Sequence, residues 1–450
     1  MGAIHSNSVQ RKHSLLPKGP AEEPGAMSRQ ITVLVIGAGC RGKNYASYAQ
    51  CYPDRMKVIG VADPRKCARK TLQEKFIIDK DNVFDDWEAA AEREKFADAV
   101  VIATQDQLHK APAVAFAKKG YHILLEKPMA VTPEDCKEIV QACKTGNVIL
   151  AVCHVLRYHP ISLKIKEVLD SGVIGDICHI QHLEPVGFWH FAHSFVRGNW
   201  RNEAESSFSL LAKSCHDMDL INFWMGGKRC LKVSSFGSLS HFTKEHQPQG
   251  AASRCLDCSV EQACPYSAKK IYLELGKKGY FHWPVSVVCS SGECDIESLT
   301  NALRHGPYGR CVYECDNDVV SNQVVNMEFE GGVTAGFTMI AFTEKLGVRK
   351  TTIYGTKGEL SCEGDGPVVV FDFLQRKKVT FPPDTAAAVP RNLAGHGGAD
   401  FYLMNSFVSA VAENDPSLIL SGAEETLNSH LLVFAAERSR KENRVVHLET

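Results

Sequence analysis

The sequence predicts an α/β protein in which an N-terminal parallel sheet precedes a C-terminal α/β domain with a largely antiparallel sheet. Strand-like and helix-like segments alternate from residue 31 to about residue 155, as expected for parallel βαβ units. After residue 156 the alternation stops, and short turns separate most of the later strands. The chain has 450 residues, 44% of them hydrophobic, which is enough for more than one core.

The N-terminal elements follow from apolar runs and helix-capping residues. Strands are predicted at Ile31–Ile36, Val58–Ala62, Ala99–Ala103, Tyr121–Leu125 and Val148–Val152, with helices between them. Gly120 is placed to end one helix in the left-handed conformation, and Thr132-Pro133 to begin the next. This segment, residues 31–155, is the first predicted domain.

The second predicted domain spans residues 156–450. A helix is expected at Ile161–Leu169 and a strand at Ile177–Leu183. Further strands are expected at Asn322–Phe329, Val333–Ile340, Thr351–Tyr354 and Glu359–Ser361, with turns at Glu330-Gly331-Gly332 and Gly355–Gly358. Residues from about 239 to 316 have little periodicity and are predicted to be a cysteine-rich insertion.

Composition excludes several classes of function. With 51 basic and 52 acidic residues the net charge is −1, which argues against nucleic-acid or anionic-membrane binding. No apolar run is long enough to span a bilayer. There are 17 cysteines and no secretory signal, so we expect a cytoplasmic protein with mostly buried free thiols. Residues 1–29 are predicted to be a disordered leader.

A glycine-rich loop carries the first functional motif. Gly37, Gly39 and Gly42 follow a buried strand and open a helix with Cys40 and Arg41, while Asp63 ends the next strand. This arrangement is typical of a Rossmann dinucleotide site, where the glycines admit the pyrophosphate and the carboxylate binds the ribose. Asp63 favours NAD over NADP, although Arg65 keeps NADP open. A glycine turn without a ligand is the alternative.

The second cluster lies at the carboxyl ends of two predicted parallel strands, where open α/β sheets bind ligands. It comprises Ala103, Thr104 and His109 after one strand, and Glu126 and Lys127 after the next. We expect these residues to contact the cofactor. Lys127 at such an edge is either a functional ammonium or an ordinary solvated lysine.

These motifs resemble those of the glucose–fructose oxidoreductase / inositol dehydrogenase (Gfo/Idh/MocA) family. The resemblance rests on the glycine loop, Ala103-Thr104…His109, Glu126-Lys127-Pro128, Arg157-Tyr158-His159-Pro160 and His216-Asp217-Met218-Asp219. It covers residues 31–230 firmly and the rest more loosely. It implies a Rossmann domain, a substrate domain that often forms oligomers, and hydride transfer between nicotinamide and a sugar or cyclitol. It also implies that Lys127 contacts both the cofactor and the substrate.

The third cluster contains Lys213 and His216, which would share one face of a helix. Alcohol oxidation needs a proton acceptor, and histidine beside an ammonium is suited to that role. The family commonly has an aspartate four residues before this histidine, but here Ala212 occupies that position. A core histidine and a solvated lysine are the alternatives.

Arg157, Arg197 and Trp200 are candidate substrate contacts. Arginine suits a carboxylate or phosphate, and tryptophan suits the face of a sugar. The segment 190–201 that holds the last two is equally consistent with a polar surface loop.

The insertion holds Cys255, Cys258 and Cys264, with further cysteines downstream. Their spacing allows a structural zinc site, but no second Cys-x-x-C or histidine pair completes it. Unpaired thiols are favoured, and a redox pair is a third alternative.

Together these motifs predict an NAD(P)-dependent oxidoreductase that acts on a sugar-like or polyol substrate and forms a homo-oligomer. Lys127 would orient the reactants and His216 would exchange the proton. One alternative is glycoside cleavage through transient oxidation and elimination. The other is a dinucleotide-binding sensor or scaffold without catalysis.

Overall fold

The computed structural model describes residues 29–289, 294–382 and 389–448. The predicted leader, except for Arg29, lies outside these ranges. Among the described residues, no helix combines the length and apolar character needed to cross a membrane.

The N-terminal sheet has six parallel strands in the order β3-β2-β1-β4-β5-β6. Its strands are β1 Ile31–Ile36, β2 Met56–Ala62, β3 Val83–Phe84, β4 Ala99–Ile102, β5 His122–Leu125 and β6 Leu150–Val152. Its helices are α1 Cys40–Ala46, α2 Tyr48–Cys51, α3 Lys66–Phe76, α4 Trp87–Glu92, α5 Lys110–Lys118 and α6 Pro133–Thr145. Strand order reverses between β1 and β4, which creates the crevice where Rossmann folds bind nucleotides.

The predicted helix signals of this domain are present in the structure. The Thr132 hydroxyl accepts a hydrogen bond from the Asp135 N–H at 3.1 Å, which caps the first turn of α6. Gly120 has a φ of 79° after α5, a conformation that favours glycine. Strand β3 was not predicted because two residues are too few to show periodicity.

The C-terminal sheet has nine strands in the order β14-β13-β12-β11-β7-β10-β9-β8-β15. They are β7 Ile177–Pro185, β8 Cys230–Ser238, β9 Asn322–Phe329, β10 Thr334–Ile340, β11 Lys350–Gly355, β12 Gly358–Glu363, β13 Val368–Asp372, β14 Lys377–Phe381 and β15 Val446–His447. Neighbouring strands are antiparallel except β7 and β10. The predicted hairpin is confirmed as β9 and β10.

Eight helices accompany this sheet within the described ranges: α7 Pro160–Asp170, α8 Phe188–Phe191, α9 Ser209–Ala212, α10 Cys215–Trp224, α11 Glu274–Lys277, α12 Ile296–His305, α13 Ala399–Glu413 and α14 Ala423–Glu442. Helices α10 and α14 pack on the sheet. Along β9, Val325 and Met327 are buried, whereas Val324 and Asn326 are exposed. This alternation leaves one face of the sheet uncovered in the single chain.

The cysteine-rich insertion is more ordered than its sequence predicts. It has a small core of its own that includes Tyr272, Leu299 and Leu303. Helix α12 begins at a capping box formed by Asp295 and Ser298, a signal that the sequence reading overlooked.

The cysteines differ from the expectation of mostly buried free thiols. All 17 lie in the described ranges, and 15 of them are free. Only seven of the free thiols are buried, because several lie near element ends at the surface. Cys289 and Cys294 form a disulfide within the insertion.

Candidate active site

The glycine-rich loop approaches the neighbouring strands so closely that side chains are excluded. A Cβ at Gly37 would lie 2.4 Å from the Ala103 carbonyl oxygen, and one at Gly42 would lie 1.9 Å from the Gly37 oxygen. Gly39 has no such internal constraint, because its nearest neighbour, Arg65 Nη2, is 3.7 Å away. The space beside Gly39 is therefore open to a ligand.

The start of α1 has the properties of an anion site. Within the described residues, no side chain caps this helix, and its first turn has no acidic residue. The first backbone N–H groups, beginning at Cys40, therefore lack helical acceptors. Such donors, together with the helix dipole, suit a pyrophosphate.

Asp63 lies at the end of β2 beside this loop and is almost fully buried. One carboxylate oxygen accepts the Ala38 N–H at 2.7 Å, and the Arg65 side chain donates to both oxygens at 2.7 and 2.9 Å. Burial raises the pKa of Asp63, but the hydrogen bonds from Arg65 outweigh it and the net shift is downward. A charged carboxylate is therefore available to ribose hydroxyls, with an arginine beside it.

His109 joins two loops at the carboxyl edge of the sheet. Its Nδ1 lies 2.7 Å from the Pro128 carbonyl oxygen, and its Nε2 lies 3.2 Å from the Thr104 oxygen. The Thr104 hydroxyl donates to Leu108. The buried imidazole thus positions the Ala103–Thr104 turn against the Lys127–Pro128 segment, instead of facing solvent.

Glu126 anchors the segment that carries Lys127. Its Oε1 accepts hydrogen bonds from Arg41 Nε at 2.6 Å and the Tyr45 hydroxyl at 2.7 Å. Arg41 also donates to both carboxylate oxygens of Asp400 in α13, at 2.8 and 2.9 Å. Burial raises the pKa of Glu126, but the positive charges of Arg41 and Lys127 lower it by more. The net shift is downward, and the carboxyl stays ionised.

Lys127 reaches from the Rossmann domain to the second domain. Its ammonium donates to the Ala212 carbonyl oxygen at 2.6 Å, and the following peptide bond to Pro128 is cis. Ala212 ends α9, one helical turn before His216. This contact brings the two predicted catalytic segments together.

His216 is buried in α10, and its Nδ1 has no hydrogen-bond partner among the described residues. Its ring centroid lies 5.6 Å from that of His154 and 5.9 Å from that of His396. Burial lowers the pKa of His216 well below its usual value, and the positive charge of Lys127 lowers it further. The imidazole is therefore neutral near physiological pH and able to accept a proton.

Lys213 does not share a helix face with His216, contrary to the sequence prediction. The helix is interrupted between Ala212 and Cys215, and Lys213 has φ and ψ of −110° and −60° at this break. Its ammonium instead lies 3.1 Å from Oε1 of Glu184, a carboxylate that is fully buried.

The carboxylates of Glu184 and Asp217 balance the positive charges of Lys213 and Arg349. Arg349 lies 3.0 Å from Glu184 and donates from Nε to Asp217 at 2.6 Å. His182 Nε2 is 3.1 Å from the same Asp217 oxygen. Burial raises the pKa of Asp217, but Arg349 and His182 lower it by more. The net shift is downward, so the carboxylate of Asp217 remains charged.

Arg157 and Arg197 are engaged inside the protein. Arg157 forms two hydrogen bonds with Asp219, at 2.6 and 2.8 Å, and a third with the Leu420 carbonyl. Arg197 is only 1% exposed and donates to the carbonyls of Tyr266 and Arg310. These contacts indicate structural roles for both side chains.

Trp200 is half-buried, and its indole Nε1 lies 3.2 Å from an Asp106 carboxylate oxygen. Asp106 lies in the Rossmann domain, four residues after the end of β4, so this contact crosses between the two domains. Trp200 therefore remains near the carboxyl edge of the Rossmann sheet.

Four residues of this region were missed by sequence reasoning: Glu184, Arg349, His396 and Asp400. Glu184 lies one residue beyond its predicted strand, and Arg349 just before another. The Gly395-His396-Gly397-Gly398 run before α13 was the available signal for the other two, since glycine-rich turns often adjoin sites.

Comparison with known proteins identifies the family. Residues 31–165 match a model described as an oxidoreductase family with an NAD-binding Rossmann fold, and residues 166–448 match the model of its C-terminal α/β domain. The chain belongs to the Gfo/Idh/MocA oxidoreductase family.

Among the family relatives is an oxidoreductase of Bacillus subtilis named YteT, 26% identical over 73% of this chain and 76% of its own length. Another is the 2,7-anhydro-N-acetylneuraminate hydratase of Escherichia coli, 26% identical over 67% of this chain and 78% of the relative.

Solved structures confirm the fold. An Agrobacterium radiobacter oxidoreductase in complex with NAD⁺, L-tartaric acid and magnesium aligns with a TM-score of 0.67 at 15% identity, covering 93% of this chain and 98% of that one. The Bordetella pertussis dehydrogenase WlbA, in complex with NADH and UDP-GlcNAcA, aligns with a TM-score of 0.64 at 17% identity, covering 95% and 100%.

The residues present fit the nicotinamide cofactor that this family implies. The space at Gly39 and the uncapped start of α1 accommodate a pyrophosphate. Asp63 supplies a charged acceptor for ribose hydroxyls, and Lys127 lies at the sheet edge where the other end of a dinucleotide would extend.

The glycine geometry yields a matched pair of variants. Gly42→Ala should lower the free energy of unfolding by about 1–3 kcal/mol, because its methyl group overlaps the backbone of Gly37. Gly39→Ala should fold like the wild type but bind NADH more weakly, since its methyl group enters only the ligand space. Urea unfolding and quenching of tryptophan fluorescence by NADH measure the two effects. Wild-type NADH affinity in Gly39→Ala would contradict this assignment of the loop.

Proposed function

We propose that this protein is an NAD-dependent oxidoreductase that transfers a hydride between nicotinamide and a hydroxyl-bearing carbon of a sugar-like or polyol substrate. The observation that carries the proposal is the 2.6 Å contact of Lys127 with Ala212, one turn before His216. An ammonium from one domain thus lies near enough to a neutral imidazole of the other for its charge to lower the pKa of that imidazole. The cofactor, when bound, supplies the hydride acceptor or donor.

In this proposal Lys127 and His216 both act on the substrate hydroxyl, each in a different role. The ammonium of Lys127 orients the hydroxyl and stabilises negative charge on its oxygen. His216 accepts the hydroxyl proton, because its low pKa leaves the ring unprotonated. Glu126 and His109 hold the Lys127 segment in position.

Lys213 and Glu184 provide a second polar pair for the substrate. Ala212 cannot supply the carboxylate that the family commonly places four residues before the histidine. We propose that the buried Glu184, 3.1 Å from the Lys213 ammonium, supplies the nearby negative charge instead. Lys213 then hydrogen-bonds a substrate oxygen. Trp200 is kept as a candidate substrate contact. Arg157 and Arg197 are not, because their guanidinium groups bind partners inside the protein.

Asp63 supports NAD as the preferred cofactor. Its ionised carboxylate would bind ribose hydroxyls and repel a 2′-phosphate. Arg65, whose side chain is 58% exposed, is able to turn toward a phosphate and would give residual NADP binding.

A second candidate is a reaction with no net oxidation of the substrate. It is favoured by the relatives named as hydratases, and by the replacement of the usual aspartate with Ala212. In that case the same residues would bind a glycoside or anhydro-sugar, and product would form without accumulation of NADH.

The remaining parts of the proposal are a cytoplasmic location and a homo-oligomer. Exposed Phe236 and Val324 lie opposite each other on β8 and β9. Apolar side chains on an uncovered sheet face support association of copies through that face.

Lys127→Met should lower kcat/KM by about 10²-fold or more, because the variant lacks the charge that stabilises the substrate oxygen. NADH formation, followed by absorbance over a panel of polyols and sugar acids, is the measurement. Lys118→Met, which changes an exposed lysine on α5, is the matched control and should retain wild-type rates. Unchanged turnover in Lys127→Met would remove this lysine from the mechanism. Glycoside or anhydro-sugar conversion without NADH would establish the second candidate.

The pH dependence follows from the lowered pKa of His216. The neutral imidazole is the active form, so lowering the pH from about 7.5 to about 6.5 should leave kcat/KM unchanged, and the decline should begin below the usual histidine pKa of about 6.5. A pH series with wild type and His216→Asn measures this. An inflection above that pKa that disappears in His216→Asn would contradict the prediction.

Cofactor choice should depend on Asp63. We expect the wild type to bind NADH more tightly than NADPH and Asp63→Ala to lose this preference, because the variant lacks the repelling charge. Asp54→Ala, at an exposed aspartate near the start of β2, is the control. Fluorescence titration with both cofactors gives the ratio of dissociation constants. A wild-type preference for NADPH would overturn the role of Asp63.

A further inference from the structure

Four cysteines of the insertion line one small cavity. Cys255, Cys258 and Cys264 come from one loop, and Cys311 comes from the segment after α12. From the sequence, the first three were candidate zinc ligands and the fourth was left open among the later cysteines and histidines; the tertiary structure places Cys311 beside them.

Backbone pairing brings the two segments together. Arg254 and Arg310 form an antiparallel bridge. On one side, the Cys255 N–H donates to the Gly309 carbonyl at 2.9 Å, and on the other the Cys311 N–H donates to the Ser253 carbonyl at 2.8 Å. Cys255 and Cys311 are therefore held beside each other by the main chain, independently of their side chains.

Arg197 reaches this cavity from the turn Ala192–Arg197 and has no carboxylate partner among the residues described. Its Nη2 lies 3.4 Å from the Cys255 Sγ, and its Nη1 is buried without any partner. The one carboxylate in the cavity wall, Glu261, is bound by Ser267 and lies 3.7 Å from Lys269. The carbonyl oxygens of Tyr266 and Arg310 accept hydrogen bonds from this guanidinium but carry no net charge. A buried guanidinium needs a counter-charge, and the cavity beside it is lined by thiols that can supply one as thiolates.

Two of the thiols also receive backbone N–H groups. Burial raises the pKa of Cys264 and Cys311, and the backbone N–H groups of Tyr266 and Tyr313, each two residues further along the chain, offset part of that rise. Hydrogen bonds of this kind stabilise a sulfur atom that carries negative charge. Arg197 and these two amides thus surround the cavity with donors suited to thiolates.

We propose that Cys255, Cys258, Cys264 and Cys311 bind one zinc ion as four thiolates, and that Arg197 compensates the resulting negative charge. Each thiol releases its proton to solvent as its Zn–S bond forms, and four thiolates with Zn²⁺ carry a net charge of −2. Four sulfur ligands in tetrahedral array are characteristic of structural zinc.

Binding requires a local rearrangement. Across residues 29–289, 294–382 and 389–448, no three His, Cys, Asp or Glu side chains are already arranged to hold a metal ion. Rotation of the cysteine side chains toward the cavity centre must therefore accompany binding, while the Arg254–Arg310 bridge keeps the backbone in place.

The site would have a structural function. It joins the insertion to the turn that ends at Arg197, three residues before Trp200 at the domain boundary. Zinc would thereby fix the insertion beside the candidate active site without taking part in hydride transfer.

Metal analysis of the reduced full-length chain tests the proposal. We expect one zinc per chain, released on thiol modification, and a Co²⁺-substituted protein with the charge-transfer and ligand-field bands of tetrahedral thiolate coordination. Cys258→Ser and Cys264→Ser should each lose the metal. Cys315→Ser, at a half-buried position near Cys311 that does not line the cavity, and Cys178→Ser, at an exposed position on β7, should keep it.

Several results would overturn the proposal. They are a reduced wild-type chain that binds neither Zn²⁺ nor Co²⁺, zinc retained in the Cys258→Ser/Cys264→Ser double variant, or zinc lost in Cys315→Ser. Iron with sulfide in place of zinc would also overturn it. Circular dichroism shows whether each variant folds. If a variant does not fold, the metal content and the cobalt spectrum of the wild type still test whether the protein binds zinc through thiolates.

Discussion

The pairing of the half-buried Arg41 guanidinium with two buried carboxylates is the interaction on which the candidate site depends most. Arg41 lies within the glycine loop, directly before Gly42, and binds Glu126 after β5 as well as Asp400 in α13. Glu126 in turn accepts the Lys127 N–H. Because the carboxylates of Glu126 and Asp400 are buried, removal of Arg41 would leave two negative charges uncompensated inside the protein. One side chain thus couples the nucleotide loop, the lysine and the second domain.

The charged residues of the candidate site are paired with one another, and the imidazole of His216 among them stays neutral. Glu126, Glu184, Asp217 and Asp400 pair with Arg41, Lys213 and Arg349. His216 has no carboxylate partner of this kind in the described ranges, and both burial and Lys127 disfavour its protonation. Low dielectric strengthens each of these effects. The result is a neutral imidazole surrounded by fixed charges.

The departure from the family pattern at Ala212 changes which element supplies the negative charge. A carboxylate at that position would lie at the end of α9, four residues before His216, whereas Glu184 lies on β7 and contacts Lys213 from there. The carbonyl of Ala212 still has a role, since it holds the Lys127 ammonium. A main-chain acceptor does not depend on the side chain at that position.

Much of the Rossmann domain was predictable from sequence, because its signals are local. The β-branched run at Ile31–Ile36, the Thr132 cap and the left-handed Gly120 each depend on neighbouring residues alone. Elements with weak local signals were missed, as in the two-residue strand β3, or α12 inside a region with little periodicity. The positions of Lys127 and His216 on their segments were also predicted. That the two would lie close together was expected from the family resemblance and not from any local signal, since 89 positions separate them in the chain.

Sequence alone determined the family resemblance, the glycine loop and the residue types at the sheet edge, because these are properties of short segments. Tertiary structure decided which polar residues meet. It turned Arg157 toward Asp219, brought Glu184 to Lys213, and placed Cys311 beside Cys255. The physical reason is that a buried charged or polar group needs a partner in the folded protein. That partner often lies far away in the sequence, where local sequence patterns cannot indicate it.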